Sequence, residues 1–280
     1  MADKPDIVYS TMNDLWLPFI FPHLKKIKRI KTIHDVGVHE GNNSLFNKWW
    51  NNTNFKDAEK FIILSQKYVS HLVERGIDKS DIAVIPHAGF DYYAHLNPIL
   101  NTNKPENYLL FFGRIDQYKG LEVLLKAMSR IVVEMPDVKL YIAGNGDISK
   151  YQNNIDELKS NVDVQNRWIK DEEVAGIVSN ASIVVLPYTH ATQSGVIPLA
   201  YAFSKPVIAT NVGCLDEQVL DGQTGYLIEG NNEKILADTI IKMLKNPEEI
   251  KSMGEYANKY MRENLTWEAS ARLFIDFIKK

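Results

Sequence analysis

Cysteine is nearly missing from this chain. Cys214 is the only one in 280 residues, which excludes an intrachain disulfide and a zinc site built from several thiolates, and points to a cytosolic redox setting. Long apolar runs are missing as well. No stretch approaches the ~20 residues that a membrane-crossing helix needs, and the polar opening from Met1 to Asp6 does not resemble a secretory signal. The expected location is therefore the cytoplasm. There is no surplus of positive charge: 32 Lys and Arg stand against 35 Asp and Glu, a net charge of −3, which argues against a nucleic-acid partner. Nor does a Gly-x-Gly-x-x-Gly follow a first strand with an acidic residue ~20 positions later, so a dinucleotide-dependent oxidoreductase is disfavoured.

What is present is an ordinary globular composition, 45% hydrophobic and 24% charged, long enough for two modest domains. Short β-branched apolar runs alternate with longer amphipathic stretches, the pattern of βαβ units around parallel sheets. The expected strands are Asp6 to Tyr9, Ile30 to His34, Lys60 to Leu64, Ile82 to Ile85, Tyr108 to Phe112, Lys139 to Ala143, Val162 to Val164, Ile183 to Leu186, Pro206 to Ala209 and Gly225 to Ile228. Ten strands fit two sheets better than one. The Pro- and Asn-rich stretch from His95 to Asn107 reads as a linker, dividing the chain into residues 1–103 and 104–280. Helices are expected over Gly120 to Glu134 and Glu233 to Leu244. Between Leu24 and Lys31, five cations fall within eight residues. This run reads either as a solvated helix end leading into a strand or as a patch resting on an anionic membrane surface.

Three strand ends carry residues suited to chemistry. After the strand ending at Phe112 comes Gly113-Arg114-Ile115-Asp116-Gln117-Tyr118-Lys119-Gly120, ahead of an amphipathic helix. Glycine there gives the backbone room, and Arg114 and Lys119 project two cations toward the carboxyl edge of the sheet, where ligands of open α/β sheets bind. Two such cations suit a diphosphate, although Gly-Arg before a helix also occurs as a plain surface turn. A second strand end carries Gly144-Asn145-Gly146, which permits close approach of a ligand. The third is Pro187 to Gly195 ahead of an apolar helix; its polar cluster Thr192-Gln193-Ser194-Gly195 could offer amides to an anion, or Thr192 or Ser194 could simply cap the helix.

In order and spacing, these elements resemble the C-terminal nucleotide-sugar domain of the retaining family 4 glycosyltransferases, two-domain enzymes of the GT-B fold. The likeness continues through Val207 to Gly225, with its glycine turn at Gly213 and its Asp221-Gly222-Gln223-Thr224-Gly225 hairpin, and through Val84-Ile85-Pro86-His87-Ala88-Gly89-Phe90-Asp91. It implies an α/β fold of two Rossmann-like domains and transfer of a hexose, with retention, from a nucleotide-diphosphate sugar to a glycan or lipid-linked acceptor. By this resemblance Arg114 and Lys119 hold the donor diphosphate and stabilise charge on the leaving nucleotide, with no metal and no cofactor. Gly113, Gly144 and Gly146 admit the nucleotide, and the amides around Gln193, Ser194 and Gly195 face its phosphate or sugar. His34, at the end of Thr32-Ile33-His34, touches the transferred sugar or the acceptor; without the resemblance it reads as a satisfied histidine at a strand terminus. His39 is a weaker candidate.

Two departures from the family pattern stand out. Where the family usually carries a pair of glutamates, this chain has Ala191 and Leu199, neither able to accept a hydrogen bond through its side chain. The N-terminal half is also shorter than the family's and lacks the glycine-rich loop after the first strand. This implies a fragment, a split enzyme whose partner chain supplies the absent strands, or a catalytically inactive nucleotide-binding or regulatory subunit.

Overall fold

The computed structural model describes residues 5–11, 16–24, 26–34, 55, 58–95 and 108–280. Its strands form two parallel sheets, one of four strands and one of six, and every expected strand is present to within two residues at either end. Contacts divide the chain into a first unit, residues 1–87 with 268–280, and a second unit, residues 88–267. The division expected near residue 104 lies outside the described residues. The contacts place the change at His87/Ala88 instead and return the last segment of the chain to the first unit.

In the first unit, β1 (Ile7–Ser10), β2 (Lys28–Ile33), β3 (Lys60–Ile63) and β4 (Ile82–Val84) lie in that spatial order. Successive side chains of a strand point to opposite faces, so both faces of this sheet need cover. Ile33, Phe61 and Ile63 pack with Val69 and Leu72 of α1 (Val69–Glu74). Ile30, Ile62 and Ile85 pack instead with Phe277. That residue lies on the last helix, Trp267–Lys279, whose residues Phe274, Phe277 and Ile278 form an i, i+3, i+4 stripe against the sheet. Two lysines add to the join: Lys28 Nζ donates to the carbonyl of Ile278 at 2.7 Å, and Lys60 Nζ lies 4.5 Å from the centre of the Phe277 ring.

The basic run is largely spent in this architecture. Lys28 is held as just described, Arg29 donates to the Phe21 carbonyl at 3.2 Å and pairs with Glu59 at 2.7 Å, and Lys31 is buried. Lys25 lies outside the described residues. The run leads into β2, as the strand-entry reading expects, and Lys26 stays exposed. No helix among the described residues is long and apolar enough to cross a membrane.

The second unit contains β5 (Tyr108–Phe112), β6 (Leu140–Gly144), β7 (Val162–Asn166), β8 (Ala181–Leu186), β9 (Val207–Thr210) and β10 (Gly225–Ile228). Their spatial order is β10-β9-β8-β5-β6-β7, the doubly wound order in which the first strand is central. Chain direction across the sheet reverses between β5 and β8, and a crevice opens there at the carboxyl ends of the strands. Leu109, Phe111, Leu140, Ile142, Ile183 and Val185 face α2 (Leu121–Glu134) and α3 (Glu233–Leu244). Tyr108, Leu110, Tyr141, Ala143, Val184 and Leu186 face α4 (Asp171–Ser179), α5 (Val196–Ala202) and α6 (Pro247–Asn264). The apolar positions 121, 124, 125, 128 and 131 give α2 its buried stripe. The Asn232 side chain caps α3 by accepting from the Ile235 amide at 3.0 Å.

Candidate functional site

At the carboxyl ends of β5 and β8, two loops are stitched together by their main chains. The Asp116 side chain accepts from the Gln117 amide at 2.7 Å, closing the turn that presents Lys119. The Thr189 amide donates to the Tyr118 carbonyl at 2.8 Å. Gly120 sits at φ +68°, and a β-carbon there would lie 1.7 Å from the Pro187 carbonyl oxygen; only glycine lets the two loops approach this closely. Gly144 plays the same part on the other side, where a β-carbon would fall 1.8 Å from the Gly113 carbonyl oxygen.

Between these loops lies a cavity of about 690 Å³. Gly113, Arg114, Lys119, Gly144, Gln193, Ser194 and Gly195 all line it, so seven residues singled out from the sequence are brought together. Gly146 is not among the lining residues. It bridges to Ile115, and its amide donates to Asn166 Oδ1 at 3.1 Å, so it supports the loop from behind. His34 belongs to the first unit, where its exposed ring donates through Nε2 to the Thr11 carbonyl at 2.8 Å; this is the satisfied strand-terminus arrangement. His39 lies outside the described residues.

The cationic wall has a definite electrostatic character. Lys119 Nζ donates to the Tyr188 hydroxyl at 2.7 Å and lies 3.9 Å from the centre of that ring. Burial lowers its pKa to about 8, helped by the nearby Arg114 guanidinium and opposed by Asp116. Near neutral pH it is still mostly charged, yet it is the cation most easily lost. Arg114 is exposed on the cavity wall.

The loop of residues 193–195 departs from simple helix-start expectations. Ser194 is locked by a two-way clamp: its amide donates to Gln218 Oε1 at 2.7 Å, and Gln218 Nε2 donates back to its carbonyl at 3.0 Å. The Ser194 hydroxyl in turn accepts from the Val196 amide at 3.2 Å, much as the capping alternative expects. The Ser194 amide is thus committed to Gln218 rather than turned to a ligand. Gln218 is braced by its carbonyl, which accepts from the Tyr201 hydroxyl at 3.1 Å; Tyr201 also bonds Thr224 Oγ1 at 2.6 Å. The Asp221 to Gly225 turn is therefore scaffolding for this loop. Gln193 reaches the cavity with its amide oxygen buried and without a hydrogen-bond partner among the described residues.

The two positions where glutamates were expected part company. Leu199 lines the cavity as an apolar wall, whereas Ala191 is buried outside it. Three other lining residues, Trp168, Tyr93 and Asp171, gave no clear signal in the sequence, and Asn145 joins them from the Gly144-Asn145-Gly146 strand end. Trp168 is 75% exposed on a turn held by a two-pronged Arg167–Glu173 pair at 2.8 and 2.6 Å. It offers a flat apolar face of the kind on which a nucleobase stacks. The Tyr93 hydroxyl donates to Asp171 Oδ1 at 3.2 Å. Among the described residues, no group of three or more His, Cys, Asp or Glu side chains could hold a metal ion.

Residues 95–260, more than half of the chain, match the family model described as glycosyl transferases group 1. An uncharacterized glycosyltransferase of Methanocaldococcus jannaschii is 28% identical over 244 residues, 86% of this chain and 65% of that protein. A D-inositol 3-phosphate glycosyltransferase of Arthrobacter sp. is 30% identical over 178 residues, covering 60% of this chain and 41% of its own length. The chain therefore spans less than two thirds of the length of these relatives. Among solved structures, sucrose-phosphate synthase from Thermosynechococcus elongatus aligns with a TM-score of 0.81 at 22% identity, over 98% of this chain and 73% of that one. HepE of Anabaena, in complex with UDP and glucose, aligns with a TM-score of 0.80 at 16% identity, over 98% and 78% respectively. These structural likenesses establish the two-domain GT-B type of fold.

Proposed function

Because the chain belongs to the glycosyl transferases group 1 family, we propose that residues 88–267 grip the diphosphate of a nucleotide sugar, and that the protein transfers the hexose to a glycan or lipid-linked acceptor. The observation that carries this reading is the placement of Arg114 and Lys119 on one wall of a cavity that also meets Gln193, Ser194 and Gly195. Two cations beside a diphosphate neutralise the charge that builds on the leaving nucleotide as the glycosidic bond breaks. We assign that electrostatic role to these two side chains rather than to a divalent ion. Retention of configuration and the family 4 assignment belong to the same proposal. The Trp168 face is suited to the base, and the likeness to HepE, a protein whose fold was determined with UDP-glucose bound, supports a nucleotide sugar as the ligand class. The single cysteine fits a reducing, cytoplasmic setting.

A second reading is favoured by one observation: Leu199 gives the cavity an apolar wall in place of a carboxylate that could accept from the ligand. On that reading the chain binds nucleotide without turnover. Calorimetry with UDP-, ADP- and GDP-glucose, run beside an assay for released nucleoside diphosphate, separates the two. Binding and release that Arg114→Ala weakens by roughly 10- to 100-fold, the worth of charged hydrogen bonds, support the transferase; binding without release supports the subunit. Absence of any binding by the folded chain would falsify both.

A further inference from the structure

Buried tyrosine hydroxyls commonly end on a backbone carbonyl, as Tyr108 does on Ile177 at 2.5 Å. Tyr188 is placed differently. It is fully buried, and its hydroxyl lies between the Lys119 ammonium at 2.7 Å and Ser194 Oγ at 3.2 Å. Both of those residues line the cavity, and Tyr188 itself does not. An ammonium can only donate, so the phenolic oxygen accepts and its proton is left for Ser194. Ser194 is held in turn by Gln218 at 2.7 and 3.0 Å, and the Tyr188 carbonyl is tied to the Thr210 hydroxyl. A rigid chain of contacts thus runs from the mobile end of a lysine to the scaffold.

We propose that Tyr188 is a positioning residue: it fixes the Lys119 ammonium on the cavity wall and couples that cation to the loop of residues 193–195. The inference rests on the reading of the cavity as a nucleotide-sugar site. A lysine has four rotatable bonds, and a partner that holds its end in place removes the entropy a ligand would otherwise have to freeze out. The hydroxyl also favours the charged ammonium, working against burial. The groups bearing on Lys119 are Arg114 and Asp116 from its own loop, the Tyr118 ring at 5.2 Å and Tyr188 from the end of β8. Of these, Tyr188 accepts a hydrogen bond from the ammonium at 2.7 Å.

The test is Tyr188→Phe in the intact chain, which keeps the ring and deletes the acceptor. Affinities for UDP-, ADP- and GDP-glucose are measured by calorimetry from about pH 7 to 9.5, across the titration of Lys119. The expected result is about a tenfold loss of affinity at pH 7, together with a shift of the pH of half-lost affinity to a lower value than in the unmodified protein. In a Lys119→Met background the same substitution should have no further effect, because the pair acts as a unit. Should Tyr188→Phe not fold, Ser194→Ala leaves the phenol in place and removes the group that receives its proton, and it should move the same midpoint in the same direction.

A loss of affinity with an unmoved midpoint, or an equal loss without Lys119, would reduce Tyr188 to a packing role and overturn the proposal. Binding that Arg114→Ala weakens and Tyr188→Phe leaves untouched removes this inference alone. No binding by the unmodified chain removes the nucleotide-sugar reading with it.

Discussion

Raising the pH should strip the site of one of its two cations well before ordinary lysines titrate. With a pKa of about 8, Lys119 is about 90% charged at pH 7 and about 10% at pH 9. A charged hydrogen bond to phosphate is worth ~1.5–3 kcal/mol, or about 10- to 100-fold in affinity. A sugar nucleotide is the right probe, since its diphosphate is substituted at both ends and carries no group titrating near pH 8. The dissociation constant should be flat up to about pH 7.5 and then rise, by at most about tenfold per pH unit, until the contribution of Lys119 is exhausted. Near pH 8 half of the free protein carries a neutral Lys119, so binding should take up about half a proton. Calorimetry in buffers of different ionisation enthalpy measures that uptake directly. Lys119→Arg should flatten both curves, because a guanidinium keeps its charge. Constant affinity up to pH 9.5 with no proton uptake would refute the claim that Lys119 meets the diphosphate. Stability follows the same linkage with a definite sign. The pKa is 10.5 in the ordinary state and about 8 in the fold, so both states are protonated below pH 8 and the cost of burying the charge is fully felt. Between pH 8 and 10.5 the unfolded chain binds the extra proton, and stability of the free protein rises.

Two further outcomes are expected. Phe277→Ala empties a buried position between the last helix and the first sheet and should cost ~3–5 kcal/mol, as loss of a core aromatic ring does. An unchanged midpoint in urea unfolding would mean that this helix does not complete the first unit. Leu199→Glu places a carboxylate on the wall of the cavity that holds Lys119 and should raise the pH at which sugar-nucleotide affinity is lost, because an opposing anion favours the charged ammonium. The pH series that tests the unmodified chain reads this directly, and an unmoved or lowered midpoint would show that residue 199 does not act on Lys119.

The strands were legible because a parallel sheet buried on both faces writes itself as short continuous apolar runs, such as Tyr108 to Phe112 and Lys60 to Ile63. Their alternation with helices pointed to parallel sheets, and the glycines and cations at the strand ends to residues that do meet at the cavity; the switch point between β5 and β8 came only with the strand order. The place of the last helix was not legible. The stripe Phe274, Phe277, Ile278 declares an amphipathic helix, yet nothing in it says which of two sheets it covers. The basic run was legible in part: a helix end leading into a strand was expected, and β2 does run through its second half. A dense row of lysines looks wet on paper, however, whereas Lys28 and Arg29 have fixed partners and Lys31 is buried. Tyr188 and Gln218 were equally hidden, since their roles depend on approaches to Lys119 and Ser194 that sequence separation does not reveal.

The unusual residues at 191 and 199 were visible in the sequence, but their consequence was not. Read as missing hydrogen-bond acceptors, they suggest only a weaker grip on the ligand. Placed in the structure, Leu199 shares the cavity lining with Lys119, whereas Ala191 lies outside it. Burial and Arg114 lower the pKa of Lys119, and Asp116 raises it. The Tyr188 hydroxyl is what meets the ammonium. A neutral partner can orient a cation without binding it as tightly as an acid would, and it leaves the positive charge available to a ligand. Burial and the neighbouring Arg114 are what depress the Lys119 pKa; on the proposed reading, a bound diphosphate supplies the counter-ion that the protein does not.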